Sequence, residues 1–211
     1  MSAVAAALFA LLAVGVLRTS GRPLPGDAGL HRWCLEHRPP VAVAVARLVT
    51  DTGTGAVPYA LVLLAGVLVG RSEHRRATTA LVLALCLAGG QAVRWSLMSL
   101  IARPRPDAAD WAVHAGRWAF PSGHSTTAAL TAGLLVAALF LRAAGPGRRP
   151  VSRGAVALIG VWGVAVGMSR VYLGVHWPSD MLGGWLLATA WLSLLTCAYL
   201  RRGRVAPPCD A

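Results

Sequence analysis

Six apolar stretches follow one another along this chain, at about Ala3 to Leu17, Ala56 to Gly70, Ala77 to Ile101, Thr126 to Leu141, Gly154 to Met168 and Met181 to Leu200. Short segments rich in arginine separate them. A helix needs roughly 20 mostly apolar residues to cross a bilayer, and in lipid only a helix or a closed barrel satisfies its own backbone polar groups. Composition agrees with this pattern: 56% of the 211 residues, about 118, are hydrophobic, which is enough for roughly six crossings. Only 13% are charged, against about 25% in an ordinary soluble domain, so a water-soluble globule is excluded. The expected fold class is all-α: a polytopic membrane protein with about six transmembrane helices in one bundle, forming a single membrane domain over residues 1–211. The first stretch lacks the basic start and the small-residue cleavage site of a signal peptide, and is read as a retained span.

The formal net charge is +12 and all 20 basic residues are arginine. These arginines lie in short clusters between apolar runs, not on one basic face, which places them at the ends of spans and argues against nucleic acid as a partner. Cys34, Cys86, Cys197 and Cys209 show neither close pairing nor CxxC spacing, so they imply no zinc site and no disulfide framework. Loop arginines set orientation. With the amino terminus cytoplasmic, Arg71, Arg75, Arg76, Arg142, Arg148, Arg149, Arg153, Arg201, Arg202 and Arg204 fall inside. Arg18, Arg22, Arg32, Arg38, Arg47, Arg103, Arg105, Arg117 and Arg170 fall outside. The bias sharpens when Arg103, Arg105 and Arg170 are set aside as functional. Small residues four apart, Gly66 with Gly70 and Gly163 with Gly167, suit either close helix contact or a lipid-facing surface.

Polar residues concentrate in two loops. The first holds Arg103-Pro104-Arg105-Pro106 and then Phe120-Pro121-Ser122-Gly123-His124; the second holds Ser169, Arg170, His176 and Asp180. Two spans separate His124 from Arg170, and two crossings return the chain to the face it left, so the loops converge whichever face is outside. Arginine forks match phosphate oxygens. Ser122 and Gly123, just before the fourth span, suit an N-cap and a close approach to backbone N–H groups, which together make an anion site; a helix cap alone also accounts for Ser122. Pro178 marks the start of the last helix, and Asp180 in its first turn can reach back to one ring nitrogen of His176. That leaves the other nitrogen as a nucleophile and His124 for acid duty. Histidines near an interface also serve as plain anchors.

Ser169-Arg170, five residues, His176, three residues and Asp180 resemble the third signature of the type 2 phosphatidic acid phosphatase and vanadium haloperoxidase superfamily. Pro121-Ser122-Gly123-His124 resembles its second signature and Arg105-Pro106 the end of its first. The resemblance covers roughly residues 55 to 200, which would form the catalytic core, with a short basic tail at 201–211. It implies that His176 is the nucleophile of a phosphohistidine intermediate, oriented by Asp180, and that His124 is the acid. It further implies that Arg105, Arg170, Ser122 and the Gly123 amide bind the phosphoryl oxygens, with no metal and no other cofactor. The eight carboxylates are scattered and offer no two-metal cluster. The implied partners are the bilayer and a lipid phosphate: undecaprenyl diphosphate, phosphatidic acid or phosphatidylglycerol phosphate. The expected location is the cell membrane, multi-pass, with the active site on the extracytoplasmic face. Oligomeric state is not indicated.

There is one departure. The first signature normally opens with Lys seven positions before its Arg-Pro, and the corresponding positions here are Met98 or, counted from Arg103, Ser96. Arg94, one helical turn before Met98, and Arg103 are the candidate replacements. Lipid-to-lipid phosphotransfer through the same intermediate, and non-catalytic binding of a lipid phosphate, are the alternative functions. Asp51-Thr52-Gly53-Thr54-Gly55 reads as a turn, Val41 to Val49 as a surface or re-entrant helix, and His31, Trp33, Leu35, His37 and Arg38 as an interfacial lid. Trp111, Trp118 and Trp177 border the expected pocket.

Overall fold

The computed structural model describes residues 2–144 and 150–205. Arg148, Arg149, Cys209 and the side chains of Arg202 and Arg204, all part of the sequence reading, lie outside the described residues. The described residues form eight α-helices: α1 (Ser2–Arg18), α2 (Asp27–Glu36), α3 (Pro40–Asp51), α4 (Ala56–Val69), α5 (Glu73–Ile101), α6 (Gly123–Ala143), α7 (Arg153–Tyr172) and α8 (Pro178–Val205). A 3-10 turn at Ala108–Asp110 interrupts the loop between α5 and α6. The all-α expectation holds, and each apolar stretch falls within one helix, save Gly70, which is the C-cap of α4.

Four helices, α5 to α8, are long and apolar enough to cross a membrane, and a fifth crossing results if the α3–α4 pair, bent by 50°, is one broken span. The expected six is not reached on length and composition. The 17 residues of α1 rise about 25 Å at 1.5 Å per residue, short of the roughly 30 Å hydrocarbon core. Exposed leucines and valines such as Leu81, Leu85, Leu158 and Val161 turn outward from α5 and α7. These side chains match lipid as solvent and would make a water-soluble bundle aggregate.

The core centres on α6, which packs against α4, α5, α7 and α8. Leu130, Leu134 and Ala138 of α6 meet Val62 of α4, Leu83 and Leu87 of α5 and Ala188 of α8. Between apolar helices in lipid, association relies on close packing and not on water exclusion. Gly66 shows how this works, since a Cβ there would stand 2.3 Å from the Ala80 Cα across the α4–α5 hairpin. Gly70 abuts Arg76, Gly163 abuts Ala132 and Gly167 abuts Trp185, so both pairs of small residues face helix contacts. Asp51 to Gly55 form the α3–α4 turn, and Trp162 donates to Thr52 Oγ1 across it at 2.9 Å. Among the described residues, Cys34, Cys86 and Cys197 are free thiols.

This packing fixes the outcome of one substitution. Gly66→Val is expected to destabilise the bundle by about 1–3 kcal/mol through overpacking, read as an SDS-unfolding midpoint shifted to lower detergent fraction. Gly160→Ala, where an added Cβ meets nothing within 4 Å, should leave the midpoint unchanged.

Candidate active site

Local sequence turns the chain at one end of the bundle. Ala102 ends α5 in the left-handed region (φ 47°). Pro104 and Pro106 then lack the N–H groups that a helix would need. The returning loop leads into α6, where Thr126 and Thr127 back-bond to the Ser122 and Gly123 carbonyls at 2.8 Å each. On the other side α7 ends at Tyr172, and Gly174 makes the turn with φ 77°. A Cβ on Gly174 would lie 2.4 Å from the Asp110 carbonyl oxygen, so both space and backbone require glycine there. Pro178 starts α8, as expected. The Ser122 N–H donates to the Asp180 carbonyl at 3.0 Å, joining the starts of α6 and α8 directly.

A cavity of about 260 Å³ opens between these segments. Arg94, Arg105, Arg117 and Arg170 line it together with His114, His124 and His176, and Gly123, Gln91 and Thr127 complete its inner wall. Among the described residues no carboxylate lines it. Arg94 and Arg170 are buried, and each has an Nε–H without a partner. Buried guanidinium groups with spare donors and no facing carboxylate make a site for an anion, because desolvated donors left unmade are costly.

His176 sits in the wall, 2% exposed. Its Nε2 lies 2.9 Å from Arg105 Nη1 and its Nδ1 lies 3.4 Å from Asp180 Oδ2. Arginine only donates. The Asp180 oxygens already accept from Arg103 Nη1 at 2.6 Å and from the Trp177 N–H at 2.8 Å, as an ionised carboxylate does. Together these contacts assign the tautomer: Nδ1 carries the proton and the Nε2 lone pair faces the cavity. Burial, and then the positive charge of Arg105, Arg170 and His124, hold the His176 imidazole well below the usual histidine range, against a backbone hydrogen bond with Ala119. Burial also lowers Arg105, with Asp180 opposing.

The sequence-derived residues are thus sorted by geometry. Arg105, Gly123, His124, Arg170 and His176 share the cavity, and Asp180 stands behind His176. Ser122 is at the N-cap position, yet its side chain caps nothing. It is fully buried, stands outside the cavity wall, and its Oγ accepts from Ser125 Oγ at 3.0 Å. Arg94 lines the cavity, with its Nη1 about where it would meet a Cβ on Gly123 at 3.3 Å, whereas Arg103 is buried elsewhere. The two candidates for the missing cation are therefore separated. Of the three tryptophans only Trp118 borders the cavity; Trp111 donates to the Pro106 carbonyl, and Trp177 carries the N–H on Asp180. On α2, His31 pairs with Asp110 at 2.9 Å while Trp33 stays exposed.

Sequence reasoning missed Arg117, His114, Gln91 and Thr127. Arg117 stacks on Trp95 at 4.2 Å and takes a left-handed φ of 60°. Its neighbour Gly116 was the available signal of a tight turn.

Comparison with known proteins agrees with this arrangement. A family model described as the PAP2 superfamily matches residues 77–204. The chain belongs to this family. Phosphatidylglycerophosphatase B of Bacillus subtilis (strain 168) is 31% identical over 180 residues, 85% of this chain and 86% of that protein. Lipid A 1-phosphatase of Rhizobium johnstonii is 36% identical over 115 residues, half of this chain but 41% of that protein. The crystal structure of a transmembrane PAP2-type phosphatidylglycerolphosphate phosphatase from Bacillus subtilis superposes with a TM-score of 0.76 at 26% identity, covering 97% of this chain and 98% of that one. The PAP2 match begins at residue 77, so the segment from α1 to α4 precedes it, including Thr54 of the α3–α4 turn in the cavity wall and Thr50 of α3 on Arg170.

The depressed His176 titration gives a direct check. In ring-nitrogen NMR of ¹⁵N-histidine protein, His176 should remain neutral, with Nδ1 protonated, as pH falls through the ordinary imidazole midpoint of about 6.5. A His176 midpoint at or above that of a free imidazole would contradict the assigned environment.

Proposed function

We propose that this PAP2 protein is an integral membrane phosphatase that hydrolyses a lipid phosphomonoester or diphosphate through a phosphohistidine on His176. The observation that carries this reading is the His176 Nε2 lone pair facing an arginine-lined cavity, with no carboxylate among its described lining residues, while Asp180 holds the opposite nitrogen. The names of the relatives support the lipid phosphate class, and the apolar helices support a substrate whose chain stays in lipid while its headgroup enters the cavity.

In the proposed reaction the phosphate displaces the Arg105 N–H from Nε2, and Arg105, Arg170 and the Gly123 N–H take its oxygens. Ser122 joins them only if its hydroxyl turns from Ser125 toward the cavity. As Nε2 bonds to phosphorus, the bond to the leaving oxygen breaks and His124 gives that oxygen a proton. Water then attacks the phosphohistidine, His124 takes its proton, and phosphate leaves with Nε2 restored. Guanidinium groups fixed where charge develops lower the barrier without reorganising. Arg94, beside Gly123 with an unused Nε–H, supplies the cation that Met98 does not. We assign the whole chain to a single membrane domain in the cell membrane. We read the cavity end as extracytoplasmic, because with Arg103, Arg105 and Arg170 set aside as functional the opposite side keeps the larger share of loop arginines.

The test uses detergent-purified protein with a panel of lipid phosphates in excess EDTA. Phosphate release should persist with the chelator and fall at least about 1,000-fold in His176→Ala. Release that needs a divalent ion, or that survives the substitution, would refute the mechanism. Arg94→Ala should cost about 10- to 100-fold in kcat/KM, as for a hydrogen bond to a charged group, and Arg94→Lys should recover most of it. Full activity in Arg94→Ala would remove Arg94 from the site.

A further inference from the structure

Three buried charged groups stand behind the cavity and not in its wall: Asp27 of α2, Arg103 of the first loop and Asp180 of α8. Arg103 is 1% exposed and every N–H of its guanidinium is used. Nη1 donates to Asp180 Oδ1 at 2.6 Å and to Ser179 Oγ at 2.7 Å. Nη2 donates to Asp27 Oδ2 at 2.8 Å and to the Arg22 carbonyl at 3.2 Å, and Nε donates to the Gly21 carbonyl at 3.3 Å. Asp27 in turn accepts the Ser179 N–H at 2.9 Å and the Ser179 hydroxyl at 2.6 Å, so a carboxylate from α2 caps the first turn of α8.

We propose that Asp27 and Arg103 are positioning residues for His176, acting through Ser179 and Asp180. The inference rests on the preceding reading of His176 as the nucleophile. Asp180 can hold the His176 Nδ1–H only while its carboxylate plane is fixed. Of its two oxygens, Oδ2 is shared by His176 and Trp177, so Oδ1 is the handle by which that plane is turned, and Arg103 is what grips it. Asp27 locks Arg103 from the far side, and Ser179 ties both to the helix that carries Asp180. A packing role alone would not need charge, since apolar residues of similar volume fill such a space at least as stably. Charge also accounts for the arrangement: two carboxylates share one guanidinium, leaving negative charge behind the ring. The imidazole becomes cationic as Nε2 bonds to phosphorus, and that excess offsets it. Asp27 lies on a helix before the PAP2 match, so this part of the site is contributed from outside the matched region.

The experiment is a double-mutant cycle on the full chain in detergent. Arg103→Gln and Asp27→Asn should each lower kcat about 10- to 100-fold with KM little changed, the scale seen when an outer partner of a reacting histidine is lost. Built on Asp180→Asn, the same changes should cost less than about twofold more, because their path to His176 is already cut. In ¹⁵N-histidine spectra each single variant should lose the one fixed His176 tautomer. Ser179→Ala provides a milder lesion in case Arg103→Gln fails to fold. Wild-type kcat and an unchanged His176 tautomer in folded variants would overturn the proposal, as would equal losses with and without Asp180. If His176→Ala stays active, it is the nucleophile reading that fails, and the tautomer measurement still decides whether Asp27 and Arg103 position the ring.

Discussion

One buried guanidinium ties together parts of the chain that are otherwise far apart. Arg103 leaves the end of α5, meets Asp27 on α2 and reaches Asp180 on α8, spanning more than 150 residues of sequence between its two acid partners. Removing one partner from a buried charged cluster costs about 3–5 kcal/mol, because the remaining charges are left uncompensated. The cluster is therefore all or nothing, and the loops that carry the candidate site inherit its rigidity.

In front of that cluster the charge reverses. Four guanidinium groups look into a small cavity that no carboxylate among the described residues lines, while Asp27 and Asp180 are held behind it by Arg103. A low-dielectric surround strengthens each of these fields. The imidazole lies at the boundary, neutral, with one nitrogen turned to each side. In the proposed reaction this separation of charge sets an unprotonated ring nitrogen to attack phosphorus next to donors for the phosphoryl oxygens.

The bilayer explains why the polar chemistry collects at one end. Charged groups within a span are costly unless they face the protein interior or water. Arg170 and Asp180 obey this rule at the last turn of α7 and the first turn of α8, and Arg94, two turns before the end of α5, is buried and lines the cavity. A substrate with an apolar chain and an anionic head fits the same division, since only the head must leave lipid.

How much of this was legible beforehand depends on the range of the interaction. The apolar stretches set every span-forming helix, because hydropathy is a local property and the bilayer enforces it. The alternation of spans placed both polar loops at one face, and the spacing of His176 to Asp180 was readable because a helix start fixes who neighbours whom. Asp27 was invisible, since its partners Arg103 and Ser179 come from distant segments that only packing brings together. The same holds for Arg117, which reaches the cavity across a loop, and for the choice between Arg94 and Arg103, which depends on the way each side chain is turned. Ser122 looked like a cap, but its buried hydroxyl oxygen accepts from Ser125 instead. The sequence by itself determined the helices, their lipid-facing surfaces and the end of the bundle where charge gathers. Only the tertiary structure decided which arginines face the anion cavity and which one pairs with the acids behind it, because that division is set by contacts between residues the chain does not place side by side.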